Sequence, residues 1–248
     1  MTIDADAVIE RRQLRRRVGK WRAIALGVAA IAIIAISARV ASTAGLAKAD
    51  QIARVEISGL ITEDHKQLKM LREIADAPHV KAVVLRVNSP GGTTTGGEAL
   101  YEEIRDIAEK KPVVAVFGTV AASAAYIVGI ASDHIVSRGN SITGSIGVIF
   151  QWAEVHGLLD KIGVDVNELT SGDLKASPSM FKPLDDRGRA LIEEMVEDSH
   201  DWFVALVKER RKVTAAEVPG LESGRIYSGR KAKALGLVDE IGGEESAV

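Results

Sequence analysis

From about residue 50 onward, short apolar runs of strand length take turns with amphipathic stretches of helical length, and this order decides the fold class. "QIARVEISGLI" alternates like a half-buried strand, and "DHKQLKMLREIADA" carries its apolar residues at helical spacing. "KAVVLRVNS" reads as a buried strand broken by "PGG", "GGEALYEEIRDIAEKK" as a second helix and "VVAVFG" as the next strand. "SAAYIVGIAS" is a helix of small residues, and "HIVS" is a short strand. Strands joined through helices pair in parallel, so the sequence predicts an α/β domain with a largely parallel sheet and flanking helices. "SITGSIGVIF" reads as a Gly/Ser turn feeding a strand, and "TSGDLKASPSMFKPL" as a loop. Next come a long helix from about Asp185 to Arg211 and "GRIYSGRKAKALGLVDEIGG" as turn, helix and short strand. No internal repeat and no second globular domain is evident.

The amino-terminal part obeys a different rule. Residues 1–22 hold seven basic side chains (Arg11, Arg12, Arg15, Arg16, Arg17, Lys20, Arg22) against three acidic ones (Asp4, Asp6, Glu10). "AIALGVAAIAIIAISA", Ala23 to Ala38, carries no charge. As a helix it spans roughly 24 Å, slightly short of a ~30 Å hydrocarbon core. Arg39 can snorkel, which extends the usable stretch to about Ala44. The run has no polar face to place on the surface of a soluble domain. The reading is a basic cytoplasmic segment (1–22), a transmembrane anchor (23–44) and an extracytoplasmic domain (45–248), oriented by the basic flank. A cleaved signal peptide is the rival, because "STA" ahead of Gly45 has the small residues of a cleavage site; the long basic lead argues against it.

Composition narrows the chemistry. With 248 residues and 46% hydrophobic content, the chain can build one real core plus an appendage. A net charge of −2 gives no global basic balance for nucleic acid. The absence of cysteine excludes disulfides, thiolate zinc sites and cysteine nucleophiles. No metal or nucleotide site and no cofactor is expected: "RVNSPGGTTTGG" lacks the Gly-Lys-Ser/Thr ending of a phosphate loop and the GxGxxG pattern.

Ser123 has two readings. It can cap the following helix by accepting a backbone N–H bond. It can also be a nucleophile at the sheet's C-terminal edge, with the Ala124 N–H turned towards an oxyanion. A triad with His134 and Asp133 is disfavoured, because adjacent strand residues point to opposite faces. His65, His79, His156 and His200 stand in polar or helical contexts and read as surface or capping residues. "PGG" has its own pair of readings, a tight turn or a backbone rail with oxyanion donors. A lysine can replace histidine as base if it is held neutral, which requires its pKa to fall from ~10.4 towards ~7–8. Lys175, among Leu, Ala, Pro and Met, is the candidate; Lys182 competes with it.

Together, "VVLRVNSPGGTTTGGEALYEEI", "KPVVAVFGTVAASAAYIVGIASDHIV", "SITGSIGVI", "TSGDLKASPSMFKPLDD" and "GRIYSGRKAKALGLVDEIGG" resemble, in order, the signal peptide peptidase A (protease IV) family. The resemblance covers nearly all of residues 50–245 and implies a fold similar to Clp protease and the crotonases. It implies a Ser–Lys dyad: Ser123 as nucleophile, Lys175 as general base, and Ser145 as the hydroxyl that orients the lysine amine. The Gly91, Gly92 and Ala124 amides would form the oxyanion hole and substrate rail. The family more often has Gly-Gly after the nucleophile; Ala124-Ala125 keeps the amide but narrows the site. The chain also lacks the extra amino-terminal domain of the family's long members. In short members, resemblance implies a ring-like homo-oligomer whose sites combine serine and lysine from neighbouring subunits. The implied substrates are remnant signal peptides and misfolded exported proteins, at a bacterial inner membrane, with the anchor in lipid. The alternatives are a related membrane protease cutting stomatin-like partners, a non-catalytic anchored scaffold, and a soluble crotonase-type acyl-CoA enzyme.

Overall fold

The computed structural model describes residues 5–43 and 49–247. The chain divides into two units, one reaching to Asp50 and one from Gln51 onward.

Among its described residues the first unit holds one helix, α1 (Ala5–Thr43). It takes in much of the basic lead as well as the apolar run, because Arg, Gln, Leu and Ala all favour helix. Its stretch Arg17–Val40, 24 residues, is long and apolar enough to cross a membrane. Trp21, Leu26, Ile31 and Ile34 along it are exposed. The boundary expected at Ala44/Gly45, and with it the end of the "STA" cleavage signal, lies outside the described residues.

The second unit alternates as the sequence predicts. Its elements begin β1 (Gln51–Ile61), α2 (His65–Asp76), β2 (Val80–Gly92), α3 (Thr94–Ala108), β3 (Val113–Ala122), α4 (Ala124–Ile130) and β4 (His134–Ser137). They continue with β5 (Ile142–Gly144), α5 (His156–Ile162), α6 (Asp186–Arg211), β6 (Ile226–Ser228), α7 (Gly229–Ala234) and β7 (Glu240–Ile241). The main path of the sheet is β1-β2-β3-β4-β7, and β5 pairs with both β3 and β6. All pairings are parallel except β5 with β6.

The helix starts are chemically fixed. Asp64 caps α2 by accepting from Lys66 N at 2.8 Å, Thr93 caps α3 through Gly96 N at 3.1 Å, and Asp185 caps α6 through Gly188 N at 2.7 Å. α2 buries Leu68, Leu71 and Ala75, and α3 buries Leu100, Ile104 and Ile107, each at helical spacing. These pack with Leu85, Val87, Phe117, Tyr126 and Ile127 in the main core. A small second cluster joins Val84 of β2, Val116 of β3 and Val136 of β4, and Ala247 near the carboxyl terminus packs against it.

Three expectations are corrected. β2 is not broken at Pro90 but runs through Gly92, because register shifts at Ser58/Leu60 and Val87/Ser89 absorb the irregular residues. The strand expected after the Gly/Ser turn instead precedes it, as β5. Gly144 (φ 83°) and Ser145 (φ 53°) are both left-handed and turn the chain out of the ladder, so "SIGVIF" is irregular. Helix α5 and strand β6 are additions to the elements that the sequence pattern predicts.

Candidate active site

β3 is long enough to hold two neighbours on one edge. Its first half pairs with β4 and its last residues pair with β5, where Ala122 stands opposite Gly144. The next residue on each strand is therefore a serine, Ser123 and Ser145. The Ser123 N–H donates to Gly144 O at 2.9 Å, and the Ser145 N–H to Arg225 O at 2.8 Å. Parallel register thus sets the two serines side by side at the C-terminal ends of their strands, where α/β sheets bind ligands.

Ser123 occupies the N-cap position of α4, but its side chain makes no capping bond. Its backbone sits at φ 56° and ψ −127°. A non-glycine residue held there costs about 1–3 kcal/mol, and such outliers concentrate at functional sites. The capping reading of Ser123 therefore fails, while a sharp strand-to-helix turn that projects the hydroxyl remains. All of α4, Ala124 to Ile130, is buried, which holds the turn in place. Ala124 begins the helix, so its N–H has no intrahelical acceptor.

The end of β2 lies against this turn. Gly91 has φ 117°, and a Cβ built on it would stand 2.8 Å from Ser123 Cβ and 3.2 Å from Ala124 N. A Cβ on Gly92 would overlap the Ile61 backbone. Both glycines are required by close backbone approach. The Gly91 N–H is already committed: it donates to Ser89 Oγ at 3.1 Å.

Gly92, Thr93, Thr94 and Ser123 line one side of a cleft of about 400 Å³. Val148, Ile149 and Phe150 from the irregular segment, and Met195 and Val196 from α6, supply an apolar wall. Sequence reasoning misses this wall, because "GVIF" reads as a strand and the α6 residues as one face of an ordinary helix. It also misses Ser89 and Asn88, which only their places beside "PGG" could have marked.

Lys175 is not among the residues lining the cleft. It lies in the loop between α5 and α6, exposed, and its ammonium has no hydrogen-bond or ion-pair partner among the described residues. Its competitor Lys182 is paired with Glu168 at 3.2 Å, and the nearby Asp173 is taken by Arg187 at 2.8 Å. The structure therefore separates the two lysines chemically and brings Gly91, Gly92, Ser123, Ala124 and Ser145 together. It does not bring Lys175 into the cleft of its own chain.

The histidine alternative is engaged elsewhere. Asp133 accepts from Val113 N at 2.9 Å and lies 3.6 Å from Arg105, while His134 Nε2 faces Glu240 at 3.5 Å. No group of three or more His, Cys, Asp or Glu able to hold a metal occurs among the described residues.

Known proteins share this arrangement of sequence and fold. Residues 105–248 match the model of Peptidase family S49, and residues 46–141 match that of Clp protease. A relative from Synechocystis sp. is 34% identical over 79% of this chain and 72% of its own length. Protease 4 of Haemophilus influenzae is 32% identical over 80% of this chain but only 34% of its own length. The chloroplastic serine protease SPPA of Arabidopsis thaliana is 28% identical over 77% of this chain and 28% of its own. The matched region thus spans about a third of these longer relatives. Among solved structures, a Listeria monocytogenes ClpP1 mutant (N165D) superposes with a TM-score of 0.50 at 20% identity, over 77% of this chain and 91% of that one. That likeness shows the ClpP-like α/β fold.

Proposed function

Because this chain belongs to peptidase family S49, we propose that it is a membrane-anchored serine endopeptidase with Ser123 as nucleophile and Lys175 as general base. The observation that carries this reading is the strained, uncapped Ser123 at the β3–α4 turn, pressed against Gly91 and facing an apolar cleft.

The substrate peptide lies extended along the end of β2, with an apolar side chain against Ile149, Phe150 and Met195. Neutral Lys175 takes the Ser123 proton, and the hydroxyl oxygen attacks the scissile carbonyl. The Ala124 and Gly92 amides receive the oxyanion, since the Gly91 N–H is held by Ser89. The lysine ammonium then protonates the leaving amine, and the C–N bond breaks. Water, deprotonated by Lys175, hydrolyses the acyl-enzyme and regenerates Ser123. Ser145, next to Ser123 in register, orients the lysine amine.

Lys175 comes from a neighbouring subunit. Its exposure, its unpaired ammonium and its absence from its own cleft support this. Entry into a neighbour's apolar cleft supplies the desolvation that a lysine base requires. α1 anchors the ring in the bacterial cell membrane, its basic end cytoplasmic, which holds the sites beside remnant signal peptides.

The test is cleavage of a fluorogenic apolar peptide by the full chain in detergent, with oligomer size recorded. Wild-type cleavage that is lost in Ser123→Ala and Lys175→Ala at unchanged oligomer size supports the dyad. A well-assembled Lys175→Ala variant that still turns over refutes it, and an assembled wild type inert towards all peptides indicates a scaffold.

A further inference from the structure

Two consecutive side chains at the end of β2 reach in opposite directions and tie the strand to both neighbours. The Ser89 hydroxyl is fully buried. It donates to Gly59 O on β1 at 2.6 Å and accepts the Gly91 N–H at 3.1 Å. Asn88 Oδ1 accepts the Thr119 and Val120 N–H groups of β3 at 3.0 and 3.2 Å. A glycine makes room for Asn88 on the β3 side. Gly59 is left-handed (φ 71°), and a Cβ on Gly118 would sit 3.0 Å from the Asn88 side chain.

These contacts fall where the ladder is irregular. β1 slips against β2 between Ser58 and Leu60, and β2 slips against β3 between Val87 and Ser89. At such a slip some ladder groups lose their partners, and pairing with β1 resumes beyond it with Leu60 opposite Gly91 and Ile61 opposite Gly92. Here side chains replace the missing ladder bonds. The segment just beyond the slip has little positional freedom, because Gly91 packs on Ser123 Cβ with no space for a methyl group. A misplacement near 1 Å at a reacting centre can cost about 100-fold in rate.

We infer that Ser89 and Asn88 are positioning residues that fix the Gly91–Gly92 backbone against Ser123, with Ser89 also directing the oxyanion contact to Gly92 by occupying the Gly91 N–H. The inference rests on the reading of Ser123 as nucleophile. Ser89 and Asn88 touch neither the nucleophile nor the substrate; they act through the backbone they hold. A purely structural role would lower the folded fraction and leave the turnover of the folded enzyme alone. A positioning role lowers kcat with KM retained, because the donor serves the transition state more than the ground state.

The experiment uses the full chain in detergent with the fluorogenic peptide, together with hydrogen exchange of the backbone amides in residues 88–93. Ser89→Ala is expected to lose protection at Gly91 and to drop kcat about 100-fold with KM within about twofold. Asn88→Ala, at an exposed position, is expected to drop kcat about 10-fold, and Asn88→Asp, which keeps the acceptor, to recover most of that loss. A folded Ser89→Ala enzyme with kcat within about twofold of wild type overturns the inference. If Ser89→Ala does not fold, the Asn88 pair decides: equal kcat in Asn88→Ala and wild type overturns it. Turnover that depends on Ser123 but not on Ser89 or Asn88 removes the positioning role alone. No turnover in the wild type removes the nucleophile reading, and this inference with it.

Discussion

Ser123 holds φ 56° and its side chain makes no capping bond, so its conformation is imposed by its surroundings and not by a side-chain cap. Replacing it with glycine removes the backbone penalty, and Ser123→Gly should be inactive yet more stable by about 1 kcal/mol, read as a higher urea midpoint. Ser123→Ala keeps the strain and loses no capping bond, so it should be inactive at nearly unchanged stability. Gly91→Ala should lose activity, because its Cβ would press on the Ser123 Cβ and φ 117° is foreign to alanine. A Lys182→Ala variant should keep near wild-type turnover, since that ammonium is engaged by Glu168. At this scale the place of Ser123 on a strand-to-helix turn is legible, between an apolar strand and a small-residue helix, while its choice as nucleophile over cap rests on the family resemblance. The commitment of the Gly91 N–H to Ser89 is not legible, because that bond depends on a bulge set by three strands.

The elements themselves are readable wherever one face is buried over a full period. α2, α3, β3, β4 and α6 follow from apolar spacing and caps visible in the sequence. The reading fails where backbone conformation overrides pattern. "PGG" carries residues that usually stop strands, yet bulges carry β2 through it. "SIGVIF" alternates like a strand, but left-handed Gly144 and Ser145 turn it away. The register that sets Ser145 beside Ser123 comes from a three-residue strand, too short to announce itself. Close packing between elements is testable too. Gly129 of α4 faces Phe117 of β3 so tightly that a methyl group would overlap the ring. Gly129→Ala should destabilise the unit by about 1–3 kcal/mol, seen as a lower urea midpoint.

At the scale of the whole molecule, α6 is tied to the sheet edge by Arg211 and Asp239. The pair is bidentate at 2.7 and 3.0 Å, and Asp239 also accepts Ile135 N at 2.8 Å. Burial pushes the Asp239 carboxyl up, but the Arg211 hydrogen bonds and charge, with the Ile135 amide, outweigh it and hold the carboxyl below its ordinary 3.8. The folded state therefore binds this proton less readily than the unfolded chain. The stabilisation is complete above pH 3.8 and is lost as pH falls through the lower folded value. Asp239→Asn should flatten that acid limb in urea midpoints measured against pH. The larger question is how Ser123 meets Lys175, which the cleft of one chain does not contain. The most direct measurement mixes Ser123→Ala with Lys175→Ala in equal amounts, dissociates and reassembles them, and assays peptide cleavage. If serine and lysine come from neighbouring subunits, each variant alone is dead and the mixture regains activity at about a quarter of the sites. Turnover by either variant alone, or a mixture that stays inert in fully assembled oligomers, would contradict the shared Ser123–Lys175 site.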